Sequence, residues 1–241
     1  MLISENSTPF EKSIAKRIAK AAEIRSIAAN KTGYTSQTDL ESVQMLTLDL
    51  SRLAGLNADF FTTINSYYQT SMKRKELFQG KENSIKQTAL LIKNTVFEDA
   101  AYCPNKRKQI KQIYEAIKGQ NPISPPIDLA VKSSDKNVAA FLSSYQILIS
   151  SFKAMKAALE KFDYQPKSED CSLANCQVLL QSAEHLSNHI EALLQKLFAA
   201  NETRTECYLM IRRRCLAIQN RFRFLYGSGD ADYRKICKHK L

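Results

Sequence analysis

Apolar residues recur from Leu40 to Met72 at intervals of three, four and seven, through Val43, Leu46, Leu50, Leu53, Phe60 and Ile64. That spacing lays one apolar stripe along a helix. A strand would need alternation every second residue. Similar patterns run over 8–33, 83–102, 135–162 and 172–226. Little punctuates them, because the 241 residues include only six glycines and six prolines. A β-sandwich or an α/β sheet enzyme of this length needs many more turn residues. The chain is therefore expected to be all-α.

Helix ends are written in the usual places. Thr8-Pro9-Phe10-Glu11 and Thr38-Asp39-Leu40-Glu41 both read as capping boxes. Gly33, Gly80, Gly119 and Gly227 read as stops, and Cys103-Pro104 ends the third long pattern. Gly55 and the polar run Ala200-Asn201-Glu202-Thr203 are expected to kink or split the helices that contain them. Pro122, Pro125 and Pro126 mark the clearest break in the chain. These signals predict a helical bundle over 1–119, a linker over 120–134 and a second bundle over 135–241. The long helices fit one elongated bundle or two tandem four-helix-like bundles. An internal duplication is open at an offset of roughly 126 residues, which pairs Ile64 with Ile190, Ile85 with Ile211 and Ile110 with Ile236.

The net charge of +11 favours acidic partners: nucleic acid, an anionic membrane face or an acidic protein. The six cysteines are spread too widely for a small disulfide scaffold. They read as buried thiols of a protein in a reducing compartment. Charged residues interrupt any apolar core in the first thirty positions, so no secretory signal is expected there. No run reaches the roughly 18 apolar residues of a membrane span. The expected location is cytoplasmic.

Catalytic patterns are missing: there is no nucleophile elbow, no phosphate-cradling glycine loop and no His-Glu-x-x-His. His185 and His189 lie four apart on one helix, downstream of Cys171 and Cys176. The two histidines are the best candidate metal ligands. Nine residues of helix between Cys176 and His185 would separate those two groups by about 13 Å, too far to share one ion. No metal or other cofactor is therefore expected. Asp230 and Asp232 read as helix caps. The basic clusters are the candidates for binding: Lys73, Arg74 and Lys75 in one half, and Arg212, Arg213 and Arg221 in the other. Consecutive arginines fan over about 200° of a helix, so at most two face one ligand.

The tail Tyr226-Gly227-Ser228-Gly229-Asp230-Ala231-Asp232-Tyr233-Arg234-Lys235-Ile236 resembles that of a broad group of uncharacterised bacterial helical-bundle proteins. There, a helix ends in an aromatic-Gly turn and a short helix folds back. The resemblance implies a bundle and no activity. The functional expectation is a non-catalytic structural or interaction protein, most simply with a protein partner. The alternative is nucleic-acid or phosphate binding through the basic helical surface.

Overall fold

The computed structural model describes residues 9–123 and 136–239, with side chains from residue 15 onward. Most of the Pro-containing linker and Thr8 of the first capping box lie outside the described residues. The described residues form α1 (Pro9–Asn30), α2 (Val43–Gln79), α3 (Ile85–Glu98), α4 (Pro104–Gly119), α5 (Lys136–Glu160), α6 (Leu173–Tyr226) and α7 (Ala231–Lys238), with no strand. Two short 3-10 turns, Asp39–Glu41 and Glu169–Cys171, precede α2 and α6.

The long helices are not split at the expected positions. Gly55 sits on an exposed position within α2, where its missing side chain opens no gap in the core. Residues 200–203 continue α6 unbroken. There, Thr203 donates from its hydroxyl to the Ala199 carbonyl at 3.0 Å, which keeps a polar side chain compatible with helix. The second capping box is also displaced. Thr38 makes no side-chain cap; Ser42 does instead, accepting from Met45 N at 3.3 Å. Ser172 caps α6 in the same manner, accepting from Asn175 N at 3.0 Å.

The chain divides into two compact units. The first comprises 1–62 and 199–241, and the second 63–198. The expected division at 120–134 cuts across the second unit. The boundaries fall inside α2 and α6, each of which contributes to both units, so composition along the chain does not mark them. In the first unit, Ala21, Ile24, Leu46, Leu53, Ile211, Ile218, Phe222 and Ile236 build the core from α1, α2, α6 and α7. Each fully buried side chain of this size contributes about 1.5–3 kcal/mol. In the second unit, α3 packs on α4 and α4 on α5. Its core includes Ile85, Ile92, Ile110, Phe141, Phe152 and Ile190.

Among the described helices only α5 is long and apolar enough to cross a membrane. Val138, Phe141, Leu148, Phe152 and Leu159 of α5 are buried in the second unit, as in the core helix of a bundle.

The two halves repeat a plan at two offsets. The expected 126 holds for α3 and α4, where buried Ile85, Ile92 and Ile110 fall on buried Ile211, Ile218 and Ile236, and about 130 residues holds upstream of them. The latter offset relates the two 3-10 turns, the capping serines and the starts of α2 and α6. It also pairs buried Leu46 with Cys176, Phe60 with Ile190 and Arg74 with Arg204. Registers four residues apart differ by only about 40° of helix face, so periodicity alone hardly separates them. The turns before α2 and α6 do. Just upstream, Gly33 takes a left-handed φ of 81° and Asp163, at the related position, a φ of 52°.

Candidate functional site

The basic residues singled out from sequence scatter into different environments. In the second unit Lys73 and Lys75 are exposed, but Arg74 is fully buried. Its guanidinium lies 3.6 Å from the ring centre of Tyr145 and 4.5 Å from that of Phe141. None of its three nitrogens makes a hydrogen bond. Burial pulls its pKa down to about 10. Arg74 is therefore a core cation held by aromatic faces and out of reach of a surface partner.

In the first unit Arg212 and Arg213 are exposed, while Arg214 and Arg221 are buried. Arg214 Nε sits 2.5 Å from Asp49 Oδ2, and its Nη1 also donates to the Asp39 carbonyl. Arg221 Nε donates to the Thr35 carbonyl at 2.8 Å, with Glu41 at 3.9 Å. These two arginines fasten the 3-10 turn and the start of α2 to α6. Of the six proposed binding residues, Arg74 and Arg221 are thus structural, and Lys73, Lys75, Arg212 and Arg213 remain on the surface. The reason is helical geometry: in Arg212-Arg213-Arg214, a step of 100° carries the third side chain onto the core side.

His185 and His189 are both exposed, with ring centres 6.3 Å apart. No cluster of three metal-ligating side chains exists among the described residues. Cys171 and Cys176 are buried thiols. Burial raises the Cys171 pKa, but contacts with Ser168, Tyr164 and Thr95 outweigh it and bring the thiol to about 7. Cys176, enclosed by apolar groups, is pushed up to about 12. Asp230 caps α7, accepting from Asp232 N at 2.9 Å and Tyr233 N at 3.0 Å. Lys31 completes the arrangement at 2.7 Å from Asp230 and 3.0 Å from Asp232.

Two features of the first unit escaped the sequence reading. One is the outward face of α6. Leu209, Arg212, Arg213, Leu216, Asn220, Arg223 and Phe224 are all exposed. At 100° per residue they fall within about 60° either side of one line. Phe224 is 77% exposed. Between Leu209 and Phe224, a rise of about 22 Å, this face holds three arginines and no carboxylate. Leu216 and Phe224 flank Ile218 and Phe222 in sequence and so read with them as one core stripe, but at 100° per residue they fall on the opposite side of the helix.

The other is a cavity of about 200 Å³ between α1, α2 and α6. Leu53, Asn57 and Arg204 form its buried part, and Arg17, Leu209 and Arg212 stand at its exposed edge. Arg204 stacks on Phe60 at 3.9 Å from the ring centre. Arg17 Nη1 donates to the Tyr208 hydroxyl at 3.4 Å. The faint signal for this site was polar Asn57 inside an apolar stripe. No family model, curated protein or solved structure matches this chain, so its function rests on the geometry of these residues and the resemblance at Tyr226–Ile236 carries no activity.

Proposed function

We propose that the chain is a non-catalytic interaction protein that binds an acidic, amphipathic helix of a partner protein along the outward face of α6. The observation that carries this reading is the exposed row Leu209, Leu216 and Phe224 flanked by Arg212, Arg213 and Arg223. Apolar groups spaced seven and eight apart match the ridge of a second helix. The arginines give that helix its required charge, carboxylates beside leucines. The six free cysteines suit a reducing, cytoplasmic setting, which belongs to the same proposal.

The test is fluorescence anisotropy with a Leu/Glu heptad peptide, its sequence-scrambled twin and a mixed nucleic-acid pool. Micromolar binding of the heptad peptide alone, lost in Arg223→Glu, supports the reading. Equal binding of the scrambled peptide, or none of either, overturns it. The nucleic-acid reading keeps Lys73, Lys75, Arg212 and Arg213 as its surface groups. It takes over if the pool binds instead, with an affinity that falls steeply with salt.

A further inference from the structure

We infer that the cavity between α1, α2 and α6 is a binding site for a small organic anion: a carboxylate or phosphate monoester on a compact apolar body. Among the described residues, Arg17 and Arg212 stand at the edge of the cavity, Arg204, stacked on Phe60, lies in its buried part, and no carboxylate lines it. The remaining wall is mostly apolar, contributed by Leu53, Tyr208 and Leu209. Such a wall takes up the ligand's apolar body, while the cations at the edge meet its acid group.

Asn57 gives the second, independent indication. Its side chain is 3% exposed and lines the cavity. Neither its Oδ1 nor its Nδ2 makes a hydrogen bond within the protein. A buried amide with both ends unmet costs about 1–3 kcal/mol per group. A leucine would fit the stripe without that cost. The amide offers one donor to an anionic oxygen and one acceptor to a ligand hydroxyl, and guanidinium groups complete the anion's shell. The volume decides the size class. A cavity of about 150 Å³ holds benzene, so this one takes a ring or short chain with its acid group.

The related positions in the second unit are occupied differently. There the arginine, Arg74, is covered by Phe141 and Tyr145, and Ser187 stands where Asn57 stands in the first. The site is distinct from peptide docking on α6. Leu209 and Arg212 serve both, whereas Asn57 belongs to the cavity alone and Arg223 to the outer face alone.

The experiment is an NMR titration of the full-length chain with 4-hydroxybenzoate, hexanoate and phenyl phosphate, against the neutral isostere 4-hydroxybenzamide. At least one anion is expected to bind with a Kd of about 0.1–1 mM, as ligands of about ten heavy atoms do. The benzamide should bind at least tenfold more weakly than 4-hydroxybenzoate if the latter is the binder. Shifts should centre on the amides around Asn57, Arg204 and Tyr208. Asn57→Leu and Arg212→Gln should each weaken binding at least fivefold. Arg212 is exposed, so its variant keeps the test sound if Asn57→Leu alters the fold. The inference is overturned by no binding of any anion at 10 mM, by equal binding of the neutral isostere, by shifts centred elsewhere, or by Arg212→Gln binding unchanged. Arg223→Glu should leave anion binding intact, which separates failure here from failure of peptide docking.

Discussion

The two units balance Arg214, Arg221 and Arg74 by different means. In the first, Arg214 has Asp49 and Arg221 has Glu41 within ion-pair distance, and both reach backbone carbonyls. In the second, Arg74 has only ring faces. An ion pair needs a carboxylate at one set position and breaks badly when it is lost. A cation over rings tolerates change at either ring, because the attraction is shared and weaker, about 2 kcal/mol when desolvated. At the position related to Arg74 the first unit keeps a cation over a ring, Arg204 on Phe60. The ion-paired Arg214 and Arg221 fall on uncharged residues of the other half at either offset, so the contrast teaches that carboxylate-balanced cations stand where the related half has none.

The largest effect is expected from Asp49→Ala. It leaves Arg214 buried beside a single carbonyl and should cost about 3 kcal/mol, by analogy with broken buried pairs. Chemical denaturation reads the change. A loss under about 1 kcal/mol would mean that the Asp39 carbonyl alone satisfies Arg214, and the contrast between the units would fade.

Arg74→Met should behave in the opposite sense. It removes a charge with no hydrogen-bond partner and keeps a flexible side chain of similar length. A gain of about 1 kcal/mol is expected, at the low end for replaced buried charges. A loss of that size would put the ring contacts above the cost of burying the cation.

The smallest effect concerns pH. Hydrogen bonds with Lys31, and with backbone amides at Asp230, hold Asp230 and Asp232 below the usual carboxylate range. Carboxylates lowered in the folded state stabilise it fully above their ordinary pKa, near 4, and lose that contribution as pH falls through the lowered values. Lys31 is raised by the same hydrogen bonds, so its share is lost only in strong alkali. The protection factors of α7 amides should therefore fall in acid before the rest of the first unit loosens. In the second unit, α4 is tied by Arg107 to the Asp99 carbonyl at 2.8 Å and by Lys86 to the Gln120 carbonyl at 2.6 Å. Carbonyls do not titrate, so α4 should keep its protection over the same range. Parallel loss in both helices would erase the distinction.

Much of this was legible in the sequence. Apolar spacing and scarce glycine pointed to an all-α chain, and Gly80, Gly119 and Gly227 marked helix ends that the structure keeps, whereas α3 already stops at Glu98 and Cys103-Pro104 opens α4 instead of closing α3. Asp230 as a cap was legible because an acid after glycine at a helix start has one simple use. The unit boundaries were not legible, since they fall within continuous helices and no local signal marks a change of packing partner. Nor was the fate of each arginine. Arg74 and Arg221 lie in basic stretches of sequence, and only the position of Tyr145 or of the Thr35 carbonyl tells that they point inward. The cavity depends on helices far apart in sequence, and Asn57 was its single local trace.

The first unit is discontinuous along the chain, and this sets an order in time. During synthesis the second unit, 63–198, is complete as soon as its own residues have emerged. The first 62 residues cannot close their core until the segment 199–241 has been made. Helices formed early must hold Ile24, Leu46 and Leu53 exposed to solvent through that interval, until Ile211, Ile218 and Phe222 arrive. That waiting surface is where a chaperone would be needed most, and where a truncated chain would aggregate.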